Sequence, residues 1–503
     1  MMQTYPENAK PDSRATLATY IYGNRFHADQ TLAEYLIEFL LVFCAEKGEQ
    51  NQGKLCFHDP DRKDVLYYTV EPRMGLKRFI FFDKSKKNDA AEIDKLAYQE
   101  LISELEKRIE DSDAEEKRDF IESLQDLLHG YAVVLRKRTW CAQAMLPICP
   151  ELIFCEAMPK KKERSALKWD EIRNDPEKKN KIDGLFDFDK RNFLARGGEL
   201  YYLHILQGLQ NNKDKQEKLE YLLRELLLVQ GKKMSGIASF IQKTWEDSMG
   251  YDESPKQKLR LAYIPERAYK NVAGHSVDEL INYLSCSMHP VKKMELLSKG
   301  VMLQVMRMLS VATTNYLGTE RECWIIDMKG MTADIVKKVA SSGFRKVEDT
   351  FVTALGQKSV ELASADVDKR MQEVRKARKD SLEIFRSKGK ELQCIIPASG
   401  PYERFALPED SIRFLVLALV KPGEKLTLDM FLSKLYDRYR IVIGSAEYKK
   451  MVKTGDYSLA NSFMENKVAF QEFLKATGFL HELSDATSIV VNPYDEVKED
   501  EII

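Results

Sequence analysis

The sequence predicts a mainly α, multidomain protein with a small α+β region at the N-terminus, a helical middle and a compact unit at the C-terminus. Its 503 residues exceed what one hydrophobic core ordinarily holds, which favours several domains. Apolar residues recur at helical spacing along most of the chain, and β-prone runs are few and short. We divide the chain into an α+β N-terminal domain, a charged connector or insertion, a helical middle domain, a C-terminal domain and an acidic tail, at residues 1–158, 159–183, 184–397, 405–495 and 496–503.

Composition sets limits on the function. Hydrophobic residues make up 44% of the chain and charged residues 31%, with a formal net charge of -1. Overall charge therefore cannot hold this protein to DNA or to a membrane, and any such contact must come from a local patch. The longest apolar stretches, Tyr35–Ala45 and Phe414–Val420, are too short to cross a bilayer. With eight cysteines in no regular spacing and a polar stretch at residues 1–14, we expect a cytoplasmic protein with no membrane partner.

The N-terminal domain is predicted to combine helices with one pair of strands. Thr31–Glu46 is a strongly apolar helix, which predicts that it is buried. Two β-branched and aromatic runs, Val65–Val70 and Leu76–Phe82, are separated by a proline- and glycine-containing turn, which predicts two antiparallel strands. Three further helices are predicted at Ala90–Glu110, Ala114–His129 and Tyr131–Met145.

The middle of the chain is predicted to be helical after a charged connector. Residues 158–183 are rich in charge and poor in apolar side chains, which is typical of an exposed segment. Trp324–Ile326 is predicted to be a short buried strand, and the pattern is helical again from Thr332 to Phe385. Between these segments, helices are predicted at Gly198–Leu209, Lys213–Gln230, Gly236–Met249, Val277–Cys286 and Val291–Tyr316.

The C-terminal domain has the order of a winged helix. Helices are predicted at Ser411–Val420, Leu426–Tyr439 and Asn461–Thr477. Two β-prone runs at 479–483 and 487–491 flank a turn and predict a hairpin. Three helices followed by a hairpin resemble a winged helix in pattern. Such a module either reads DNA through its third helix or docks another protein.

The charge of this winged-helix-like unit favours protein docking slightly over duplex binding. A helix that reads DNA normally presents several basic or amide side chains to the groove. Here Glu465 and Glu472 offset the lysines of the third helix, which is also more apolar than a core face requires. The basic feature of the unit precedes this helix and contains Lys449 and Lys450.

The best candidate for catalysis follows the predicted strand at 324–326. Asp327 and Lys329, two residues apart, resemble the second half of a metal-dependent nuclease core, in which acids hold Mg²⁺ and the lysine orients the attacking water. That chemistry requires a first acid on a neighbouring strand. Glu322 is the nearest candidate, but it lies too close in sequence for a separate strand. The alternative is an ion pair that flanks a buried strand.

No metal or nucleotide site is complete in the sequence. Cys286 and His289 have the spacing of half a zinc site, and no second pair occurs. The P-loop pattern and G-x-G-x-x-G after a strand are also absent. Arg191 and Arg196 precede a glycine-led helix whose amides could meet an anion such as a phosphate group. The alternative is a tight entry turn. We therefore predict neither a metal nor a cofactor.

A cluster of basic residues is the candidate nucleic-acid contact. If Asp366–Lys390 is one helix, several of its cations share a side that could follow a phosphate backbone. The alternative is a solvated helix with internal ion pairs to acids such as Glu373. Together with the two lysines of the C-terminal unit, the candidate nucleic-acid-binding residues are Arg375, Lys376, Arg378, Lys379, Arg386, Lys449 and Lys450.

These observations lead to one expected function and two alternatives. We expect a non-catalytic, DNA-associated scaffold or adaptor subunit of a larger nucleic-acid-processing complex, such as a prokaryotic antiviral-defence or DNA-maintenance assembly. Other protein subunits are the expected partners, and double-stranded DNA is the candidate ligand. The first alternative is a divergent metal-dependent nuclease that uses Asp327 and Lys329. The second is a pure protein–protein adaptor.

Overall fold

A computed structural model shows that the chain is mainly helical, with 60% helix and 9% strand, which confirms the predicted fold class at this level. Its sheets are small: five have two strands and one has three among the residues described. Within these residues no helix combines the length and the apolar content that a bilayer span requires. The structure describes residues 3–9, 16–27, 29–47, 53–85, 87, 91–110, 113–133, 137–173, 175–179, 182–194, 196–251, 255–328, 330, 335–362, 366–452, 457–483 and 487–497.

In the N-terminal region, three predicted helices are confirmed and two predicted elements are wrong. The elements are β1 Thr4–Tyr5, α1 Leu17–Tyr22, α2 Leu32–Cys44, β2 Tyr67–Val70, α3 Met74–Phe81, α4 Glu92–Arg108 and α5 Ala114–His129. The run Leu76–Phe82 is not a strand, because α3 covers it. Within the described residues of Tyr131–Met145, the only helix is the 3-10 turn Trp140–Ala142.

Burial explains why the second predicted strand is a helix. Leu76, Phe79 and Ile80 are fully buried and follow the helical spacing of three and four residues. A Cβ atom at Gly75 would lie 2.2 Å from the Trp245 ring, so the glycine allows a neighbouring helix to approach α3 closely. Strand β2 pairs instead with a distant strand, at residues 257–260.

The middle of the chain is helical, as predicted, but the segment 159–183, predicted as an exposed connector, also contains three short helices among its described residues and buries Arg164 and Ile172. Its helices are α6 Lys161–Ala166, α7 Trp169–Arg173, α8 Pro176–Lys179, α9 Gly197–Gly208, α10 Lys213–Arg224, α11 Lys232–Met249, α12 Lys270–Leu284, α13 Pro290–Leu317, α14 Ile335–Glu361, α15 Val367–Lys379 and α16 Leu382–Glu391. Its strands are β3 Met158–Pro159, β4 Phe186–Asp187, β5 Gln257–Arg260, β6 Ile264–Pro265, β7 Trp324–Ile325 and β8 Ile395–Ile396.

The basic segment Asp366–Lys390 is two helices and not one. Helix α15 ends at Lys379, and α16 begins at Leu382. Asp380 and Ser381, which separate them, are both buried, and the Asp380 carboxylate accepts a hydrogen bond from Arg25 Nε at 3.1 Å. This tertiary contact fixes the break. The cations of α16 therefore belong to a different surface from those of α15.

The C-terminal region contains the predicted helices and hairpin. Its elements are β9 Arg404–Phe405, α17 Glu409–Leu419, β10 Lys425–Thr427, α18 Leu428–Tyr439, β11 Ile441–Val442, α19 Ser445–Val452, α20 Ala460–Ala476, β12 Leu480–Glu482 and β13 Ser488–Val491. Strands β12 and β13 pair antiparallel, with Leu480 opposite Val490, and β10 pairs with the other edge of β13. The predicted turn at 484–486 lies outside the described residues.

A second, smaller hydrophobic cluster that includes Ile325, Val442 and Phe463 accompanies the main core, which runs through much of the described chain. Helix α13, with 28 residues, lies at its centre and packs against α2, α14 and α17. The core extends from Tyr5 to Val490. Strand β7 of the middle region pairs in parallel with β11, Trp324 opposite Ile441. The C-terminal elements are thus joined to the rest by both packing and a strand pair, while the domain division stays a prediction.

Candidate functional site

The glycine-led start of α9 binds a carboxyl group of the protein itself, that of Glu38, and burial and the neighbouring Glu199 raise the pKa of this carboxyl. Glu38 of α2 accepts hydrogen bonds from the Gly198 amide at 2.6 Å and from the Arg196 amide at 2.9 Å. Its carboxylate also binds Arg191 Nη1 at 3.0 Å. A Cβ at Gly198 would lie 2.4 Å from the Tyr35 carbonyl oxygen, so this glycine is required for α2 and α9 to approach. The site is therefore an internal helix cap.

A second buried carboxylate engages the same two arginines. Glu199 binds Arg191 Nη1 at 2.6 Å and Arg196 Nη1 at 3.0 Å, and it accepts a hydrogen bond from the Tyr68 hydroxyl at 2.6 Å. The Arg191 side chain is 4% exposed. Although burial raises the pKa of Glu199, Arg196 and Arg191 hold it below its ordinary value. Both guanidinium groups thus contact internal acids, and their contact with an external anion stays a prediction.

The candidate catalytic residue Asp327 forms a buried ion pair. Its carboxylate accepts hydrogen bonds from Arg404 Nε at 3.2 Å and from the Gly330 amide at 3.1 Å. Asp327 and Arg404 are each 7% exposed. Among the described residues, no group of three or more His, Cys, Asp or Glu side chains is placed to hold a metal ion. Lys329 lies outside the described residues, and Glu322 is half-buried before β7. The arrangement corresponds to the ion-pair alternative.

Asn466 of α20 holds the strand ends beside this ion pair. Its side-chain amide donates to the carbonyl oxygens of Ile326 and Ile443, both at 2.9 Å. Its Oδ1 atom accepts from the Met328 amide at 2.7 Å. Asn466 is fully buried. This residue of the predicted third helix therefore has an internal structural role and is not available for a ligand.

The cysteines are not activated nucleophiles. All eight lie in the described part of the chain, and all are free. Burial raises the pKa of Cys149 and Cys394 to about 12 and that of Cys323 to about 11, the opposite of what a reactive thiolate requires. Cys286, half of the zinc pattern, is buried, and its sulfur lies 3.3 Å from the Asn492 side-chain nitrogen.

Three of the predicted nucleic-acid contacts lie away from α15. Arg386 of α16 pairs with Glu348 at 3.1 Å and also with Glu403. Lys450 of α19 donates to the Ser433 hydroxyl at 3.1 Å. Lys449, on the same helix, is exposed. The structure does not bring these three residues onto the α15 helix with the other four.

Helix α15 is an exposed cationic element. Ala377 is its only buried residue. The segment from Asp366 to Lys379 holds six bases and three acids. Within the described residues, none of the six bases forms an ion pair, so the alternative of a helix with internal pairs is not supported. The six bases are Lys369, Arg370, Arg375, Lys376, Arg378 and Lys379.

The cations of α15 lie on two sides of the helix. At 100° per residue, Lys369, Lys376 and Lys379 share one side, which we call the lysine face. Arg370 and Arg378 lie on the other side, and Arg375 lies between the two sides, about 40° from Lys379. These three arginines line a groove against the end of α14. The three lysines are exposed, whereas Arg370 and Arg378 are half-buried. The helix therefore presents two chemically different surfaces.

The exposed face of α20 is apolar and acidic. Met464 and Val468, one turn apart, are each 56% exposed. The lysines of this helix are engaged: Lys467 pairs with Asp429, and Lys475 pairs with Glu482 at 2.7 Å. Few cations therefore remain available on α20 for a DNA groove.

A further cavity was not predicted from the sequence. It measures about 670 Å³ and lies between α10, α12, α17, α18 and the segment after β13. Several of its charged lining residues form ion pairs with one another, including Lys215 with Asp278 at 2.7 Å and Lys218 with Glu496 at 3.4 Å. Its five basic and five acidic lining residues balance, so the cavity favours no class of ligand.

Comparison of the chain with protein-family models, with curated proteins and with solved structures gave no match. The functional assignment therefore depends on the surfaces described above. Sequence analysis missed the internal partners Glu38, Arg404 and Asn466. One signal was present for Glu38, because it is a carboxylate inside the strongly apolar stretch Tyr35–Ala45.

Proposed function

We propose that the chain is a non-catalytic adaptor subunit of a larger nucleic-acid-processing complex. The observation that carries this proposal is the lysine face of α15, whose three cations are exposed and have no ion-pair partner among the described residues. An exposed cation without a partner costs no internal contact when it binds a phosphate. Phosphate contacts of this kind supply most of the sequence-independent affinity of DNA-binding proteins.

The spacing of the lysine face suits a phosphate backbone. Ten residues separate Lys369 from Lys379, which corresponds to about 15 Å along the helix axis. A duplex strand carries one phosphate about every 3.4 Å along its axis, so this length matches about four successive phosphates. Contacts of this kind position a protein on DNA without reading its sequence.

Protein docking through the C-terminal region is the second part of the proposal. The order of α17, α18, α20 and the β12–β13 hairpin supports a winged-helix-like unit. Exposed Met464 and Val468 lie on α20 beside Glu465 and Glu472, a surface suited to an apolar protein contact with charged surroundings. The engaged lysines of α20 favour this use over duplex reading.

The two alternatives differ in support. The nuclease proposal needs a free Asp327 carboxylate, but Arg404 and Gly330 bind it, so no observation favours that proposal. A pure protein–protein adaptor needs no nucleic acid and would keep the α20 surface. The cytoplasmic setting and the defence or DNA-maintenance context stay predictions from the sequence.

The test is fluorescence anisotropy of a labelled duplex at low salt. The parent protein is compared with a variant that combines Lys369→Gln, Lys376→Gln and Lys379→Gln. A charge-matched control combines Lys232→Gln, Lys233→Gln and Lys243→Gln, which are exposed residues of α11. We expect the α15 variant to bind at least about tenfold more weakly and the control to bind like the parent protein. No binding by the parent protein would leave the pure protein–protein adaptor as the better proposal.

A further inference from the structure

A groove of about 350 Å³ lies between the end of α14 and α15. Ser359 forms its α14 side, and the remaining lining residues come from α15. They are Val367, Arg370, Met371, Val374, Arg375 and Arg378. The floor is aliphatic and the edges carry guanidinium groups, so the groove is amphipathic.

The surroundings of the groove expose more apolar surface than a helix end requires. Val367 and Met371 on α15 are 56% and 49% exposed. Val360 and Leu362, at the end of α14, are 62% and 45% exposed. Single exposed apolar residues are normal, but Val367 and Met371 lie together in the groove lining, where an exposed apolar surface can bind other molecules.

The charges at the groove have no internal partner among the described residues. Arg370, Arg375 and Arg378 form no ion pair there, although Glu348 lies within electrostatic range of Arg378. The Glu348 carboxylate is already engaged by Arg386 at 3.1 Å. The Nε atom of Arg378 is buried and has no hydrogen-bond partner in the part of the chain that the structure describes. A buried donor of this kind is costly unless a ligand satisfies it, and a carboxylate suits a guanidinium group best.

We propose that the α14–α15 groove binds an acidic, amphipathic segment of a partner protein. Its apolar side chains would cover Val367, Met371 and Val374, and its carboxylates would pair with the three arginines. This is helix-in-groove recognition with complementary charge. Among the described residues that line the groove none is aromatic, so they offer no stacking surface for unpaired bases. The inference goes beyond the proposed function, because it uses the groove and its arginines and not the three lysines.

The experiment uses a labelled synthetic peptide of about 15 residues, a length that gives about four helical turns. Leucine occupies one helical face of the peptide and glutamate the remaining positions. A second peptide carries lysine in place of each glutamate. Binding to the full chain is measured by fluorescence anisotropy at low salt. We expect the acidic peptide to bind at least about tenfold more tightly than the basic one.

Two pairs of variants locate the site. Met371→Glu should weaken binding of the acidic peptide about tenfold, whereas Leu127→Glu, on α5 at 46% exposure, should change it less than about twofold. Arg375→Gln combined with Arg378→Gln should weaken it about tenfold as well, and Lys232→Gln combined with Lys233→Gln should not. Far-ultraviolet circular dichroism and the thermal midpoint verify that each variant is folded.

Three outcomes would overturn the inference: no binding at peptide concentrations of about 1 mM, equal binding of the two peptides, or equal effects of Met371→Glu and Leu127→Glu. The duplex experiment on the lysine face is independent of these results. Peptide binding with no DNA binding would reject the proposed nucleic-acid function and support the groove. DNA binding that depends on the lysine face, without peptide binding, would support the proposed nucleic-acid function and reject the groove.

Discussion

The start of α9 and helix α15 both concentrate positive charge, yet their cations have opposite surroundings. Arg191 and Arg196 bind two buried carboxylates, those of Glu38 and Glu199, within 3.0 Å. The cations of α15 are exposed or half-buried, and none forms an ion pair among the described residues. Basic residues therefore form an internal cluster at the start of α9, whereas on α15 they form a surface that a ligand can reach.

This difference has an energetic basis. A buried cation has lost its hydration, and it is tolerated only because acids and hydrogen bonds compensate for that loss. An exposed cation keeps its water and contributes little to folding, so its charge remains available to a ligand. Substitutions in the first cluster should therefore change stability, and substitutions on α15 should change binding. The following predictions are arranged by the size of the expected effect.

The largest effect is expected at the α9 cluster. Glu38→Gln replaces a carboxylate that accepts hydrogen bonds from Arg191, Arg196 and Gly198 with a neutral amide. The free energy of unfolding should fall by about 3–5 kcal/mol, because Arg191 loses part of its compensating charge. Denaturant unfolding followed by circular dichroism measures this change. The exposed control Glu122→Gln should stay within about 0.5 kcal/mol of the parent protein, and a similar result for Glu38→Gln would contradict the account.

A smaller loss is expected at the strand-end ion pair. Arg404→Gln removes the guanidinium group that binds buried Asp327, while the Gly330 amide remains. The free energy of unfolding should fall by about 2–3 kcal/mol, because the carboxylate is left with less compensation. The double variant Asp327→Asn with Arg404→Gln should recover part of that loss. If the double variant loses the sum of both single effects, the two side chains are not coupled.

Local elements were predictable from the sequence, whereas their partners were not. Ala114–His129 was predicted with its exact bounds, because an Asp113 capping box and helical periodicity lie within the segment itself. The strand at Leu76–Phe82 was predicted wrongly, because all eight residues of α3 are buried and a short apolar run can belong to either a buried strand or a buried helix. The break between α15 and α16 depends on Arg25, more than 350 residues away from Asp380.

The same limit applies to the candidate site. The bases of α15 lie close together in the sequence, so the sequence alone predicted that they form one basic cluster. One of the two acidic partners of Arg191, Glu38, lies 153 residues away on α2, and no local pattern predicts that contact. Whether a cation has an ion-pair partner depends on the tertiary structure. Arg386 has such partners, whereas the four candidate residues on α15 have none among the described residues.

Arg386 allows a paired cation to be compared with the unpaired cations of α15, because the sequence analysis placed all of them in one candidate nucleic-acid contact. It is paired with Glu348 and Glu403, and its side chain is 36% exposed. Arg386→Gln should lower the free energy of unfolding by about 1 kcal/mol, since solvent screens a partly exposed pair. Duplex affinity should not change. A loss of DNA binding as large as that of the α15 variant would show that pairing does not separate the two groups.

The smallest change in stability is expected on the lysine face. Lys376→Gln combined with Lys379→Gln should alter the free energy of unfolding by less than about 0.5 kcal/mol, because neither side chain has an internal partner among the described residues. Denaturant unfolding under the conditions used for Arg386→Gln provides the comparison. A loss above about 1 kcal/mol would mean that these lysines support the fold.

The most direct test of the account is the salt dependence of duplex binding for the parent protein and the lysine-face variant. Each phosphate contact adds about 0.9 to the slope of log affinity against log salt, so loss of three contacts should reduce the slope by about 2.7. The charge-matched α11 variant should keep the parent slope. Equal slopes for all three proteins would contradict the claim that the unpaired lysines of α15 contact nucleic acid.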